Sequence, residues 1–186
     1  MTGFAAPLRT RSLLLVPASA AHVRAELEGR DRLGALLGAT VPTSWPPGEY
    51  DRAAQEFSLG CLTTAGPDGV GWYGWYAVRR NDREHEATLV GSGGFCGPPG
   101  ADGTVEIGYS MCPEWRGRGY AAEMAGALAQ HVAAQPGVAR VIAHTAASNP
   151  ASIAVLERVG FALAGPGPEA GTLRFEWVPP RGGAGA

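Results

Sequence analysis

The chain has 186 residues, which is enough for one domain with a substantial core and too few for a second catalytic domain. Its 15 Lys and Arg residues nearly balance 17 Asp and Glu residues, and the formal net charge of −2 excludes a field that would attract nucleic acid or a membrane surface. No apolar run reaches the ~18 residues that span a bilayer, and no cleavage site follows the short N-terminal apolar run, so we expect a cytoplasmic protein.

The cysteines indicate neither a metal centre nor a disulfide framework. Cys61, Cys96 and Cys112 lack the paired spacing of a zinc site, and their number is odd. The four histidines form no metal-binding pattern in the sequence either. We therefore expect reduced thiols and no metal.

The N-terminal half is predicted to begin with a strand and to continue with helices. Ser19 suits the N-cap of a helix, and Gly29 suits its left-handed C-terminal position. The segment 41–48 is too rich in proline for a regular element and is expected to be a structured loop. The predicted elements are a strand at 11–16 and helices at 19–29, 30–37 and 49–60.

The C-terminal half changes from a strand pattern to a helical one. Three strand-like runs, at 72–79, 86–95 and 104–111, are separated by turn-forming residues and predict an antiparallel meander. From Ala121 onward, apolar residues recur at helical spacing, which predicts a helix of about 16 residues that starts at the glycine-rich segment 116–121. The remaining predicted elements are strands at 138–143, 161–164 and 172–178 and a helix from Asn149-Pro150 to Gly160.

Together these elements predict an α+β fold in which helices flank a mixed sheet. We expect a single domain over residues 1–178. The tail at 179–186 consists largely of glycine, proline and alanine and is expected to be disordered.

The glycine-rich segment 116–121, Arg-Gly-Arg-Gly-Tyr-Ala, has the properties of a phosphate cradle. Gly117 and Gly119 let backbone N–H groups approach a ligand closely, and the dipole of the following helix adds about half a positive charge there. Arg116 and Arg118 could neutralise phosphates through charge-assisted hydrogen bonds. A tight turn with two solvated arginines is the alternative interpretation.

The same segment also matches a dinucleotide-binding pattern, GxGxxG/A, at Gly117, Gly119 and Ala122. That pattern requires a first βαβ unit and an acidic residue about 20 positions later. Here the residue at that distance is Arg140, and the preceding strands are predicted to be antiparallel. The context therefore argues against a dinucleotide site, and a kinase-type P-loop is excluded because no Gly-Lys-Ser/Thr ending is present.

Two blocks of the sequence resemble the GNAT superfamily of acetyltransferases. The first consists of Glu106-Ile107-Gly108-Tyr109-Ser110 and the turn 113–121, and it matches the family's coenzyme A signature, R/Q-x-x-G-x-G/A, at Arg116, Gly119 and Ala121.

The second block runs from Asn149-Pro150-Ala151-Ser152 to Val159-Gly160-Phe161 and is similar to the family's helix that ends in Gly-Phe. The segment 8–15 resembles the first strand of the ribosomal-protein alanine N-acetyltransferase-like branch, so the resemblance covers about residues 8–178. It implies the GNAT fold, with a mixed, mostly antiparallel central sheet of about six to seven strands flanked by helices.

The resemblance further implies an N-acetyltransferase that moves an acetyl group from acetyl-coenzyme A, its co-substrate, to a primary amine. The amine would be a protein N-terminal α-amine or a small-molecule amine. Glu106 is the implied general base, with an ion pair to an arginine as the alternative. The implied coenzyme A contacts are Ser110, Met111, Arg116, Gly117, Arg118, Gly119, Tyr120, Ala121, Asn149 and Ser152.

One residue departs from the family pattern. Leu156 stands where many members have a tyrosine that protonates the leaving thiolate, and Ser152 is the implied substitute. A purely local role for Ser152 at the start of its helix is equally open. The missing tyrosine also leaves an alternative function, a non-catalytic acyl-coenzyme A sensor.

The acceptor side is less specified by the sequence. The resemblance places it in the N-terminal half, where Trp45, the aromatic run 72–76 and three acidic residues could attract a cationic amine; strand core is the alternative for the aromatics. The three acidic residues are Glu49, Asp51 and Glu56. His144 could also line the cleft, and the choice between a monomer and a homodimer stays open.

Overall fold

The computed structural model describes residues 4–48, 50–81 and 86–177. The tail at 179–186 and Val178 therefore lie outside the described residues. The elements are β1 (Leu8–Arg9), β2 (Leu13–Pro17), α1 (Ala20–Glu28), α2 (Arg30–Leu37), α3 (Arg52–Ala65), β3 (Trp75–Arg79), β4 (Thr88–Phe95), β5 (Thr104–Met111), α4 (Tyr120–Ala133), β6 (Arg140–Ala146), α5 (Pro150–Val159), β7 (Ala162–Pro166) and β8 (Thr172–Trp177). Short 3-10 helices occur at Gly66–Gly69 and Pro113–Trp115.

The strands form one sheet in the order β1-β2-β3-β4-β5-β6-β8-β7. Neighbouring strands are antiparallel except for the β5–β6 pair, which is parallel. The predicted α+β class and mostly antiparallel mixed sheet are confirmed. In the described part of the chain the sheet has eight strands rather than six to seven. The additional strand, β1, has two residues, too few to show a strand pattern in the sequence.

The largest differences from the predicted boundaries occur in α3, β3 and β6. Helix α3 begins at Arg52 instead of residue 49 because Asp51 caps it, and it continues past Gly60 to end before Gly66, which has a φ of +61°. Strand β3 begins three residues later than predicted, because residues 72–74 belong to a turn. Strand β6 is shifted toward the C-terminus and includes His144.

Helices cover both faces of the sheet. On one face, α4 buries Met124, Ala125 and Leu128 against β2, β4 and β5, as the helical spacing predicted. The other face packs Tyr76, among other residues, against α1, α2 and α3. Within the described ranges, no helix is both long and apolar enough to cross a membrane.

The parallel pairing of β5 with β6 is short, and the two strands separate beyond it. Pairing of β5 with β6 covers Thr104–Glu106 and Arg140–Ile142. Beyond these pairs, β5 continues through 107–111 and β6 through 143–146. We call the space between these two continuations the splay.

The hydrogen-bond direction along β5 alternates. The Glu106 carbonyl and the Cys112 N–H bond to β4 and the segment beside it. Because successive residues of a strand direct their backbone groups to opposite edges, Tyr109 and Met111, which lie beyond the last pair with β6, present theirs to the splay. An extended ligand could therefore pair with β5 along this edge.

Candidate active site

A cradle for phosphate lies where the turn after β5 enters α4. Gly117 and Gly119 have φ values of +72° and +83°, the left-handed region that favours glycine. Gly119 is also the N-cap of α4 and has no side chain to occupy the first N–H groups of the helix. These N–H groups and the helix dipole could hold a pyrophosphate.

The two arginines of the cradle are held by neighbouring groups. Arg116 donates from Nε to the Met111 carbonyl at 3.1 Å, which leaves the outer guanidinium nitrogens for a ligand. The Arg118 guanidinium lies 5.0 Å from the ring centroid of Trp115, a cation–π contact. Both side chains are exposed to solvent, and each has one defined contact within the segment.

The cradle and the splay belong to one cavity of about 660 Å³. Nine of the ten residues that the sequence implied as coenzyme A contacts line it, and the exception is Arg118. The nine are Ser110, Met111, Arg116, Gly117, Gly119, Tyr120, Ala121, Asn149 and Ser152. The cavity thus extends from the start of α4, along β5, to the start of α5, and its donor groups suit a phosphate-bearing, extended ligand.

The loop before α3 forms one wall of this cavity. Ser110 donates from Oγ to the Pro47 carbonyl at 3.1 Å, and Ser44 donates to Glu114 Oε1 at 2.7 Å. Gly48 has a φ of +52°, and a Cβ there would lie 3.0 Å from Ser110 Oγ. Glycine is therefore required for this close approach of the loop to β5.

Glu106 is paired with His144, and among the described residues it forms no ion pair with an arginine. The Nδ1 atom of His144 lies 2.8 Å from Glu106 Oε1, and the two side chains are 18% and 36% exposed, respectively. His144 lines the cavity, whereas Glu106 does not. The sequence offered His144 as one candidate for the cleft, but its pairing with Glu106 depends on the register of two distant strands and was missed.

A second polar pair joins β5 to α5. The Tyr109 hydroxyl donates to the Ser152 carbonyl at 3.2 Å and lies 3.1 Å from Ser152 Oγ. Burial raises the pKa of Tyr109, against an opposing effect of the hydrogen bond to Ser152. The Ser152 N–H in turn donates to Asn149 Oδ1 at 3.1 Å, so Asn149 caps α5. No pattern in the sequence indicated that the Tyr109 hydroxyl reaches α5.

The side chains suggested for the acceptor wall mostly have structural roles. Trp75 and Tyr76 are 1% exposed, so the strand-core interpretation is correct for them. Asp51 caps α3, and Glu56 forms a 2.8 Å ion pair with Arg52. Glu49 lies outside the described residues.

Trp45 is also buried, and it leads to a residue that sequence reasoning missed. Its Nε1 atom donates to Glu26 at 2.7 Å, and the Glu26 carboxylate also accepts from Tyr50, Gln55 and Tyr76 at 2.7–3.1 Å. Burial raises the pKa of Glu26, while the four hydrogen bonds lower it. The only signal in the sequence was that Glu26 follows Val23 by three positions on the buried face of α1.

Comparison with known proteins is consistent with this geometry. A family model described as an acetyltransferase (GNAT) domain matches residues 13–162. The uncharacterized N-acetyltransferase YjdG of Bacillus subtilis (strain 168) is 29% identical over 127 residues, 68% of this chain and 72% of that protein.

Two solved structures share the fold at low sequence identity. An acetyltransferase from Agrobacterium tumefaciens has a TM-score of 0.61 and 22% identity, with 92% of this chain and 94% of that chain covered. The ribosomal-protein α-N-acetyltransferase RimL, in complex with coenzyme A, has a TM-score of 0.65 and 19% identity, with coverage of 93% and 98%. Since the family model spans well over half of the sequence, the chain belongs to the GNAT family and is an acetyl-coenzyme A-dependent acyltransferase.

Proposed function

We propose that the protein transfers the acetyl group of acetyl-coenzyme A to a primary amine, either a protein N-terminal α-amine or a small-molecule amine. The observation that carries the proposal is the continuity of the cradle with the splay in one cavity. A pyrophosphate at the start of α4 would direct an extended arm along β5 toward Glu106 and His144. RimL, which has the same fold, is named as an α-N-acetyltransferase of a ribosomal protein, and this favours an α-amine.

The residues of the cradle would bind the co-substrate. The first N–H groups of α4 and the side chains of Arg116 and Arg118 would hold its phosphates. The backbone groups of Tyr109 and Met111, which face the splay, would pair with the arm, and one of their N–H groups would polarise the thioester carbonyl. Asn149 and Ser152 line the opposite wall.

The acceptor must lose a proton during the reaction. A neutral amine attacks the carbonyl carbon, the C–N bond forms, the C–S bond breaks, and the nitrogen gives up one proton. Glu106 provides the carboxylate of the general base. An α-amine, which titrates near ~7.7–8.0, is an easier acceptor than a lysine side chain near ~10.4.

The leaving thiolate gains a proton to become free coenzyme A. We assign this role to Ser152 because the residue lines the cavity and its hydroxyl lies 3.1 Å from the Tyr109 hydroxyl. The Ser152–Tyr109 pair would then take over the role of the tyrosine that many family members have at the position of Leu156. Leu156 itself is 1% exposed and belongs to the core.

The test is thiol release with acetyl-coenzyme A and a panel of peptides and small amines, with mass spectrometry of the products. We expect at least one peptide α-amine to be acetylated, and Glu106→Gln to slow that reaction by about 10²-fold or more. A Glu106→Gln variant as fast as the parent would show that Glu106 is not part of the general base.

The missing tyrosine at Leu156 favours one second candidate, a non-catalytic acyl-coenzyme A sensor. Tight binding of coenzyme A without acetylation of any member of the panel would support the sensor. One efficiently acetylated acceptor would eliminate it.

A further inference from the structure

We infer that His144 is the group that takes the proton from the amine, and that Glu106 acts through it by orienting the imidazole. This inference rests on the proposed function and specifies its base. Under it, His144 is a catalytic residue and Glu106 is a positioning residue.

The first argument is the position of the two side chains relative to the splay. Glu106 pairs with Ile142, the last pair before β5 and β6 separate, so Glu106 lies at the closed end. His144 is two residues further along β6, inside the open part, and lines the cavity. Within this cavity, the imidazole and not the carboxylate therefore faces the substrate.

The second argument is the polarity of the hydrogen bond between them. An ionised carboxylate can only accept, so the hydrogen in the 2.8 Å contact belongs to Nδ1 of His144. In a neutral imidazole this leaves the lone pair on Nε2, which can accept a proton. The carboxylate also stabilises the imidazolium that forms, as in other carboxylate–imidazole pairs.

The charges of the other groups near the imidazole are partly neutralised by their own neighbours. Arg174 is the β8 partner of His144, and Glu176 on the same strand forms an ion pair with Arg174. Arg140 lies toward the other end of β6, near Asp102. Cys96, beside Glu106, has a pKa raised by burial and by the Glu106 charge, which favours a neutral thiol. Glu106 is thus the charge in direct contact with the ring.

The hairpin between β7 and β8 restricts the imidazole from another side. A Cβ at Gly167 would lie 3.3 Å from His144 Cδ2 and 2.2 Å from Thr172 Oγ1. The chain therefore approaches the ring closely at Gly167. Together with the hydrogen bond to Glu106, this contact limits rotation of the ring.

The proton transfer balances without a further reactant. As the amine nitrogen bonds to the acetyl carbon and the C–S bond breaks, the nitrogen releases its proton to Nε2 of His144. The imidazolium, held by Glu106, then loses that proton to solvent. The thiolate takes up one proton, so the net products are an amide and free coenzyme A.

The experiment compares His144→Gln and Glu106→Gln with Glu28→Gln, which removes an exposed carboxylate on α1 that pairs with Arg32 and leaves the His144–Glu106 hydrogen bond in place. With the same acceptor, we expect kcat/KM to fall about 10²-fold or more in His144→Gln and Glu106→Gln, and to change less than about twofold in Glu28→Gln. Calorimetry should give similar coenzyme A affinity for all of them, which separates a chemical defect from misfolding.

Nitrogen NMR of the free protein provides a readout that does not depend on activity. We expect the His144 ring to carry its hydrogen on Nδ1 in the parent and to lose this preference in Glu106→Gln. The acid limb of the parent's pH–rate profile should coincide with the protonation midpoint of His144 measured by NMR.

Two outcomes overturn the inference alone: an active parent with an equally fast His144→Gln variant, or a ring hydrogen on Nε2 in the parent. A parent that acetylates no amine instead overturns the proposed function, and the inference with it.

Discussion

Glu26 is the most heavily hydrogen-bonded carboxylate among the described residues, and it joins three parts of the N-terminal half. Its carboxylate, in α1, receives hydrogen bonds from Trp45 and Tyr50 around the loop, Gln55 in α3 and Tyr76 in the sheet. The residue is 8% exposed. A buried carboxylate with four donors fixes the wall-forming loop to the rest of the domain, because each donor would otherwise be unsatisfied.

We expect Glu26→Gln to destabilise the fold by about 1–3 kcal/mol, because the amide of Gln brings an N–H group against donors and leaves buried partners unsatisfied. Urea denaturation should show the loss. Glu28→Gln is the matched control: Glu28 is exposed and pairs with Arg32 at the surface, so its loss should cost less than about 0.5 kcal/mol. Equal losses in both variants would contradict a special role for Glu26.

The same residue should give the stability a pH dependence. The pKa of Glu26 is raised in the folded protein from its ordinary value of 4.5, chiefly by burial, so the folded state holds this proton more tightly than the unfolded state. Its contribution is fully present below about pH 4.5 and is lost as pH rises through the raised pKa. Denaturation midpoints of the parent minus those of Glu26→Gln should therefore decline over this window. A flat difference would show that burial does not raise this pKa.

At the scale of elements, α4 connects the core to the cradle. Its apolar side packs against the sheet, and its N-terminus carries the glycine that allows the entering turn. The stability of the helix and its capacity to bind an anion therefore depend on different residues, and single substitutions can separate them.

We expect Gly119→Ala to weaken coenzyme A binding, because a residue with a Cβ must adopt a φ near +83° at a cost of roughly 1–2 kcal/mol or move the first N–H groups of the helix. Calorimetry with coenzyme A would measure the change. Gly126→Ala, in the middle of α4, is the control: its Cβ would meet Val159 at an ordinary 3.7 Å, so it should raise stability by up to about 1 kcal/mol without altering binding. Unchanged affinity in Gly119→Ala would contradict the cradle.

At the scale of the whole molecule, the elements were easier to predict than their contacts. The apolar spacing of α4 and the capping residues Ser19 and Asn149 are local signals, and the structure has the corresponding helices. Contacts such as Glu106–His144 and Tyr109–Ser152 join residues 38 and 43 positions apart. They depend on which strands become neighbours and in what register, and a single sequence does not state this.

Which charged side chains become buried could not be predicted from the sequence either. A glutamate in a helix is ordinarily solvated, so Glu26 gave no reason to expect four buried donors. Conversely, Asp51 and Glu56 suggested an attractive wall but serve a helix cap and a surface ion pair. In each case the surrounding fold decided the role of the side chain.

The splay also gives β5 two unlike edges, and this should be visible in amide hydrogen exchange. The N–H groups of residues 108 and 110 face β4, whereas those of Tyr109 and Met111 face the cavity. Without ligand, alternate amides along this one strand should therefore exchange slowly and rapidly. Coenzyme A should slow the exchange of the rapid set and remove the alternation, because its extended arm would pair with β5 in the place of a neighbouring strand.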